Sequence, residues 1–418
     1  MFDHKPNERE WLSWLSLAIW IAVIYLTIPF VRLGTGFVKS TWGSETFTYV
    51  IALVLILATL AVLVWLMRKR ALSPGRFAWM LAIAGIFVAL TFGLKSGTPE
   101  EAIHLLEYGV LSILAYRAFS HRIGDYSIYI AATLLGTLIG MVDEAIQWLV
   151  PGRYFGLHDI AINLTAVTLV QLAIAAGIRP AIIAHRPTSA SLRRICRLGA
   201  MTAGLFGLFH LNTPGNIAAY SAAIPALAFL NGPNHTMIEF GHLYDHPEIG
   251  HFRSRLAPEE LAHADRTRAR ETALILDQYT SRDTYPDFLR RHMGAKDPLL
   301  HEARVHLYSR NVNAEWARDD NDPARRRQRY TTAYRENQIL EEYFSETLKA
   351  SGSVWTDELT RLAKANMISD YEYDSLVSRH LITAYSGSQA MWMFGGAVVA
   401  LLVFGHYLKI PARGRYPK

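Results

Sequence analysis

The stretch GTLIGMVDEAIQWLVPGRYFGLHDIAIN, residues 136–163, decides how the chain is read. An apolar helix-forming run ends in Asp143, Glu144 and Gln147, turns at Pro151-Gly152-Arg153, and a second apolar run begins with Asp159 and Asn163. Gly136, Gly140, Asp143, Glu144 and Gln147 recur at helical spacing and share one face. Gly136-xxx-Gly140 is a small-xxx-small pattern that lets a neighbouring helix approach closely. An acid buried at mid-bilayer costs about 2.5–3.5 kcal/mol even on permissive scales. The acids here sit at the ends of their runs, so two crossings carry a polar cluster where they join.

Six further apolar features surround this pair. Runs of spanning length cover Trp11–Phe30, Thr48–Met67, Phe77–Leu94, Ala102–Phe119, Tyr126–Val150, Ile160–Ile178 and Ala390–Leu408. The first lacks a small-residue cleavage site and reads as an uncleaved anchor. Leu198–Leu230 is apolar but broken by Asn212-Thr213-Pro214-Gly215-Asn216. One span plus an interfacial segment there makes eight crossings, and two spans make nine. The basic groups Arg68-Lys69-Arg70 with Arg76, Arg117 with Arg122, and Arg186, Arg193, Arg194 and Arg197 fall on alternate sides. By the positive-inside rule these loops are cytoplasmic, and eight spans also bring the tail Lys409, Arg413, Arg415 and Lys418 inside.

The fold expected is therefore all-α: a polytopic transmembrane helix bundle of about eight spans, with an extracytoplasmic all-α domain inserted before the last. Residues 1–93 form the N-terminal transmembrane helices, and 94–178 the core that carries the cluster. The seventh span with an interfacial segment occupies 179–230, the helical domain 231–388, and the last helix with its basic tail 389–418. In the domain, helices are expected from Ala257-Pro258-Glu259-Glu260 to about Tyr279, and from Pro323 to about Leu348. Two more are expected at Thr356-Asp357-Glu358 and Asp370-Tyr371.

Composition agrees: 51% of 418 residues are hydrophobic and only 19% charged, below the quarter usual in soluble domains. The net charge of +6 does not imply nucleic acid. Acids outnumber bases between Thr213 and Gly387, and the basic excess sits in short loops between apolar runs. One cysteine, Cys196, excludes an internal disulfide framework and Cys-rich metal sites. No CxxCH, Walker A or GxGxxG pattern points to a cofactor.

Under the eight-span arrangement, His104, Glu107 and Tyr108 occupy the outer turns of the fourth span. Asp143, Glu144 and Gln147 end the fifth, Arg153 lies in the loop, and Asp159 and Asn163 start the sixth. Three segments thus bring polar residues to one level, with Arg153 and Lys95 as candidate charge partners. The ordered set His104-x-x-Glu107-Tyr108, Asp143-Glu144-x-x-Gln147, Pro151-Gly152-Arg153, Asp159 and Asn163 resembles the VanZ-like membrane proteins over about Leu94–Ala175. Two positions differ: Glu101 stands where the family often has Lys, and Ala166 where it usually has Gly. The resemblance implies a protein of the bacterial envelope, in a family whose founding member is linked to teicoplanin resistance; it implies no particular reaction.

As a site, the cluster would hold phosphate on Arg153 and Lys95, and sugar hydroxyls or an amine on Asp143, Glu144 and Asn163. The competing reading is an ion-pair network that only fixes packing. Neighbouring carboxylates can divide acid and base roles, but no nucleophile is evident. His104, Glu107, Asp143 and Glu144 are also metal-ligand types. The partners expected are membrane lipids and other membrane-protein subunits, the latter if the protein is an accessory or scaffold subunit. Transport is disfavoured because no mid-membrane ionisable pathway is evident. His242, His246 and His251 are weak metal candidates, read more simply as a solvated loop interrupted by Pro247. Arg325-Arg326-Arg327 with Arg329 reads as a solvated helix face. Trp11, Trp14, Trp20 and Trp148 read as interfacial anchors, and His210 as a packing histidine.

Overall fold

The computed structural model describes residues 9–43, 45–94, 101–151, 153–232 and 235–408. The candidate partner Lys95, Gly152 of the turn and the basic tail from Lys409 lie outside the described residues. The chain divides into two compact units, Met1–Leu208 with Trp392–Lys418, and Phe209–Met391.

The first unit is helical. It comprises α1 (Glu10–Trp42), α2 (Thr46–Arg68), α3 (Pro74–Gly93), α4 (Glu101–Ser120), α5 (Ser127–Trp148) and α6 (Leu157–Leu172), which runs on as a π turn, Ala173–Ile178. To it belong most of α7 (Ser189–Leu211) and of α15 (Gly387–Tyr407). Among the described residues seven helices are long and apolar enough to cross a membrane: α1 over Glu10–Val31, α2 to α5, α6 with its π turn, and α15. This is a multi-pass membrane protein. Helix α7 is not among the seven. Arg193, Arg194 and Arg197 occupy its first half and lower its hydropathy. Its 23 residues are about 35 Å long at 1.5 Å per residue, enough for the ~30 Å hydrocarbon core where the arginine side chains snorkel to the headgroups.

Burial separates centre from periphery. About half of the apolar window of α5 and α6 is buried, 56% and 50%, against 22% for α2 and α3 and 6% for α15. Lipid offers no hydrophobic drive between helices, so close packing and hydrogen bonds must hold this centre. The expected small-residue contact supplies the packing. A Cβ on Gly136 would lie 2.7 Å from Val167 Cγ2, and one on Gly140 3.0 Å from Asn163 Cβ and 3.2 Å from Tyr108 Cε1. Helix α5 therefore lies against both α4 and α6 at Gly140. Ser112 donates to the Val167 carbonyl (3.0 Å), and Gln171 donates to Ser112 (2.8 Å), tying α4 to α6.

The second unit contains α8 (Pro214–Ala223) and a 3-10 turn, Pro225–Asn231, both of which the sequence reading assigned to the membrane region. They meet at extended Ile224, so residues 212–230 form no single spanning helix. Then follow β1 (His242–His246), β2 (Gly250–Ser254), α9 (Pro258–Leu276), α10 (Tyr285–Arg291), α11 (Pro298–Asp319), α12 (Pro323–Tyr343), α13 (Ser345–Ala350) and α14 (Asp357–Asn366). The expected start at Ala257 is observed, with Glu260 accepting from the Ala257 N–H at 3.0 Å. The helix from Pro323 breaks at Phe344, and Thr356 caps α14.

This unit is predominantly helical, as expected, with two local departures. β1 and β2 form an antiparallel hairpin that places Tyr244 and Phe252 opposite each other in the core. No helix starts at Asp370-Tyr371, because Tyr373 and Ser375 spend their backbone groups on β2. The Tyr373 carbonyl accepts from the His251 N–H (2.7 Å), and the Ser375 N–H donates to the His251 carbonyl (2.8 Å). Gly250 makes this approach possible: its φ is 103°, and a Cβ would lie 2.2 Å from the Tyr373 oxygen. Beneath, Glu336, with no exposure, accepts from Tyr373 Oη and Ser375 Oγ (2.6 Å) and pairs with His306 Nδ1 at 2.5 Å.

Candidate functional site

The nine candidate residues of the bundle are brought to one place by the ends of α4, α5 and α6 and the loop between α5 and α6. Tyr108, Asp143, Glu144, Gln147 and Asn163 are buried, and His104, Glu107, Arg153 and Asp159 are half-buried. Tyr108 Oη donates to Asp143 Oδ2 at 3.0 Å, across from α4 to α5. Glu144 accepts twice: from Gln147 Nε2 at 3.0 Å on one oxygen, and from the Gly156 N–H at 2.9 Å on the other. A Cβ on Gly156 would meet Asp159 Oδ2 at 2.7 Å and Glu144 Oε2 at 3.5 Å, so two carboxylates flank this glycine.

Arg153 reaches the cluster by a different route from the one expected. Its guanidinium donates to the Gln147 amide oxygen, not to a carboxylate. The result is a polarised chain, Arg153 to Gln147 to Glu144. His104 Nδ1 lies 3.5 Å from Glu107 Oε2, and His158 Nε2 lies 3.6 Å from Glu101 Oε2, at the position where the resemblance leads one to expect lysine. Glu101, Glu107, Asp143, Glu144 and Asp159 thus gather around one arginine and two histidines.

Several buried polar atoms here have no hydrogen-bond partner among the described residues: Asp143 Oδ1 and both Asn163 side-chain atoms, while His104 Nδ1 has only its ion-pair contact with Glu107. A small, partly open cavity of about 30 Å³ lies at His104, Glu107, Asp143, Gln147 and Arg153. That is room for about one water. On the flank, an apolar groove of about 430 Å³ runs between α3, α4 and α6, lined by Leu90, Leu94, Leu105 and Ile162, with His158 at its polar edge.

Helix α1 closes the cavity with Ile24, Thr27, Ile28 and Val31, and no residue of α1 was a candidate from sequence. Trp20 Nε1 donates to the Glu107 carbonyl (3.0 Å), and Tyr25 Oη donates to the Ile139 carbonyl (3.0 Å). Trp20 is half-buried against the bundle and Trp148 is 6% exposed, so both rings pack on neighbouring helices. Position along a span marks depth, whereas the direction a side chain faces depends on neighbours that sequence does not show. The available signal was the polar tip of Trp and Tyr on an otherwise apolar helix, which needs a buried acceptor.

The three candidate histidines, His242, His246 and His251, lie on the hairpin, where alternate residues face opposite sides. His246 Nδ1 accepts from the Glu248 and Ile249 N–H groups, and His251 Nε2 pairs with Asp245 at 3.2 Å. Among the described residues no group of three or more metal-ligating side chains converges, here or in the bundle. His210 is buried and bonds to Tyr385 Oη at 3.2 Å, as a packing histidine does. Comparison with protein-family models, curated proteins and solved structures finds no match for this chain.

Proposed function

We propose that this chain is a VanZ-like multi-pass protein of the bacterial inner membrane, and that the cluster at the ends of α4, α5 and α6 recognises the headgroup of a lipid or lipid-linked saccharide. The orphaned atoms of Asp143 and Asn163 carry this reading. Each unmet buried polar group costs about 1–3 kcal/mol, and a network that served packing alone would satisfy its own members. Three unmet atoms in one cluster support a site completed by something else.

Size refines the ligand. A cavity of about 30 Å³ admits one hydroxyl or ammonium, not a sugar ring. The rest of the headgroup then lies outside, where Arg153 and exposed His158 present cationic or hydrogen-bonding tips and the guanidinium suits phosphate oxygens. The adjoining apolar groove fits an acyl chain, which favours a lipid over a free saccharide.

In this proposal α7 crosses as an eighth span, the second unit is extracytoplasmic and both termini are cytoplasmic. The support is a run of close contacts between α7 and α15: Cys196 against Gly405, Gly199 against Leu401, Gly204 against Val398 and Gly207 against Phe394. Residues beside a spanning helix share its depth, and the order of these contacts is antiparallel.

Asp143→Asn is the test. The Asn oxygen can still accept from Tyr108, while the orphaned atom changes from acceptor to donor. The full chain, purified in mild detergent, is analysed by mass spectrometry for the lipids it retains. A species enriched by the wild type should fall at least tenfold in the variant, with the melting temperature unchanged. Identical lipid profiles would refute the proposal.

A further inference from the structure

The antiparallel pairing of α7 and α15 leaves a cavity of about 470 Å³ at one end, which the site above does not use. Arg193, Cys196 and Arg197 line it from α7, and Gly405, His406 and Tyr407 from α15. No acidic residue is in the lining. Arg193 and Arg197 stand one turn apart and so share a face, and neither has a hydrogen bond or ion pair among the described residues. Guanidinium groups stay charged at any physiological pH. Two such charges side by side, without a counter-charge, call for an anion.

The N-terminus of α7 is not the seat, because it is already served. Asp125 accepts from Ser191 Oγ (2.6 Å) and the Thr188 N–H (3.3 Å), and Thr188 Oγ1 accepts from the Ser191 N–H (3.1 Å). The following residues, 409–418, contain four bases and no acid, so they do not complement the cavity. The surroundings specify the kind of anion. The cavity lies where the apolar run of α15 ends, with Tyr407 76% exposed, at the depth where aromatic residues meet headgroups. Leu401 and Leu402 form its apolar wall, and Val399 and Val403 are exposed beyond it. Basic pockets between spanning helices on the cytoplasmic side suit anionic headgroups.

We propose that this cavity binds the phosphate headgroup of an anionic phospholipid, with Arg193 and Arg197 on the phosphate oxygens and the acyl chains along α15. The assignment rests on the topology proposed above, in which α7 and α15 span the membrane with this end cytoplasmic, and is independent of the α4–α6 cluster.

The full chain, delipidated in detergent, is titrated with dioleoyl phosphatidylglycerol, with dioleoyl phosphatidylcholine and with inorganic phosphate, and binding is read by native mass spectrometry. The wild type should prefer phosphatidylglycerol at least tenfold. Arg193→Gln with Arg197→Gln should abolish that preference. Arg197→Gln alone, a change at an exposed side chain, should reduce it about threefold and serves if the double variant does not fold. Arg68→Gln with Lys69→Gln, which removes two charges elsewhere, and Asp143→Asn should leave it intact. The proposal is overturned if the wild type shows no preference, if the preference survives both Arg193/Arg197 variants, or if the Arg68/Lys69 variant loses as much. Full displacement of the lipid by millimolar inorganic phosphate would assign the cavity to free phosphate instead.

Discussion

Replacing Glu144 by Gln removes one acceptor from a place where two donors converge. Glu144 Oε1 faces Gln147 Nε2 and Oε2 faces the Gly156 N–H, at 3.0 and 2.9 Å, and Glu144 is fully buried. An amide has a single oxygen, so one donor would face an NH₂ group. Gln147 cannot flip to relieve this, because its oxygen is held by Arg153. An unmet buried donor costs about 1–3 kcal/mol, which for a unit of this size lowers the melting temperature by about 2–12 °C. The polarised chain makes a sharper claim. With Arg153→Ala added, Gln147 can flip and accept from the introduced amide, so the double variant should lose less than the sum of the singles, by about 1 kcal/mol or more. Thermal unfolding in one detergent, followed by tryptophan fluorescence, measures all four proteins. Additive losses would show that Arg153 does not orient Gln147 and would remove the chain from the account.

The other predictions concern packing and pH. Gly136→Ala should destabilise: its Cβ would fall 2.7 and 2.9 Å from the two methyls of Val167, a stiff β-branched side chain. Overpacking of about 1–3 kcal/mol outweighs a helix-propensity gain of up to ~1 kcal/mol; a melting temperature at or above wild type would contradict the contact. Gly85→Ala, with nothing within 4 Å of the new methyl, is the control and should be neutral or stabilising. In the second unit, burial raises the Glu239 carboxyl, but hydrogen bonds from His380 and Arg255 and their charges outweigh it and hold it at about 2. A depressed folded value means stability that is fully present above about pH 4.5 and lost as pH falls toward 2, on the order of 3 kcal/mol in all. Acid titration of unfolding should show that loss, and Glu239→Gln should flatten it; an unchanged profile would remove Glu239 as its source.

Much of the candidate site was legible because spacing along a helix is a local property. Gly136, Gly140, Asp143, Glu144 and Gln147 share a face whatever packs against it, and the turn after Val150 returns Asp159 and Asn163 to the same level. The wall supplied by α1 was not legible, since nothing local to Trp20 or Tyr25 shows that their polar tips reach carbonyls of α4 and α5. The hairpin at His242–Ser254 pairs locally, but it escaped because its two strands bury only Tyr244, Phe252 and Ser254, too little apolar alternation to mark a strand.

By itself the sequence determined that this is a helical multi-pass membrane protein with its polar residues at the ends of its central helices. Hydropathy and helical period act over neighbouring residues, so both can be read without a fold. Only the tertiary structure decided which hydrogen bonds those residues make, that Arg153 acts through Gln147, that some polar atoms are left unmet, and that the space between them holds little more than a water. Those properties depend on distances of a few ångströms between helices remote in sequence, and such distances are set by how side chains interlock, not by the order in which they occur.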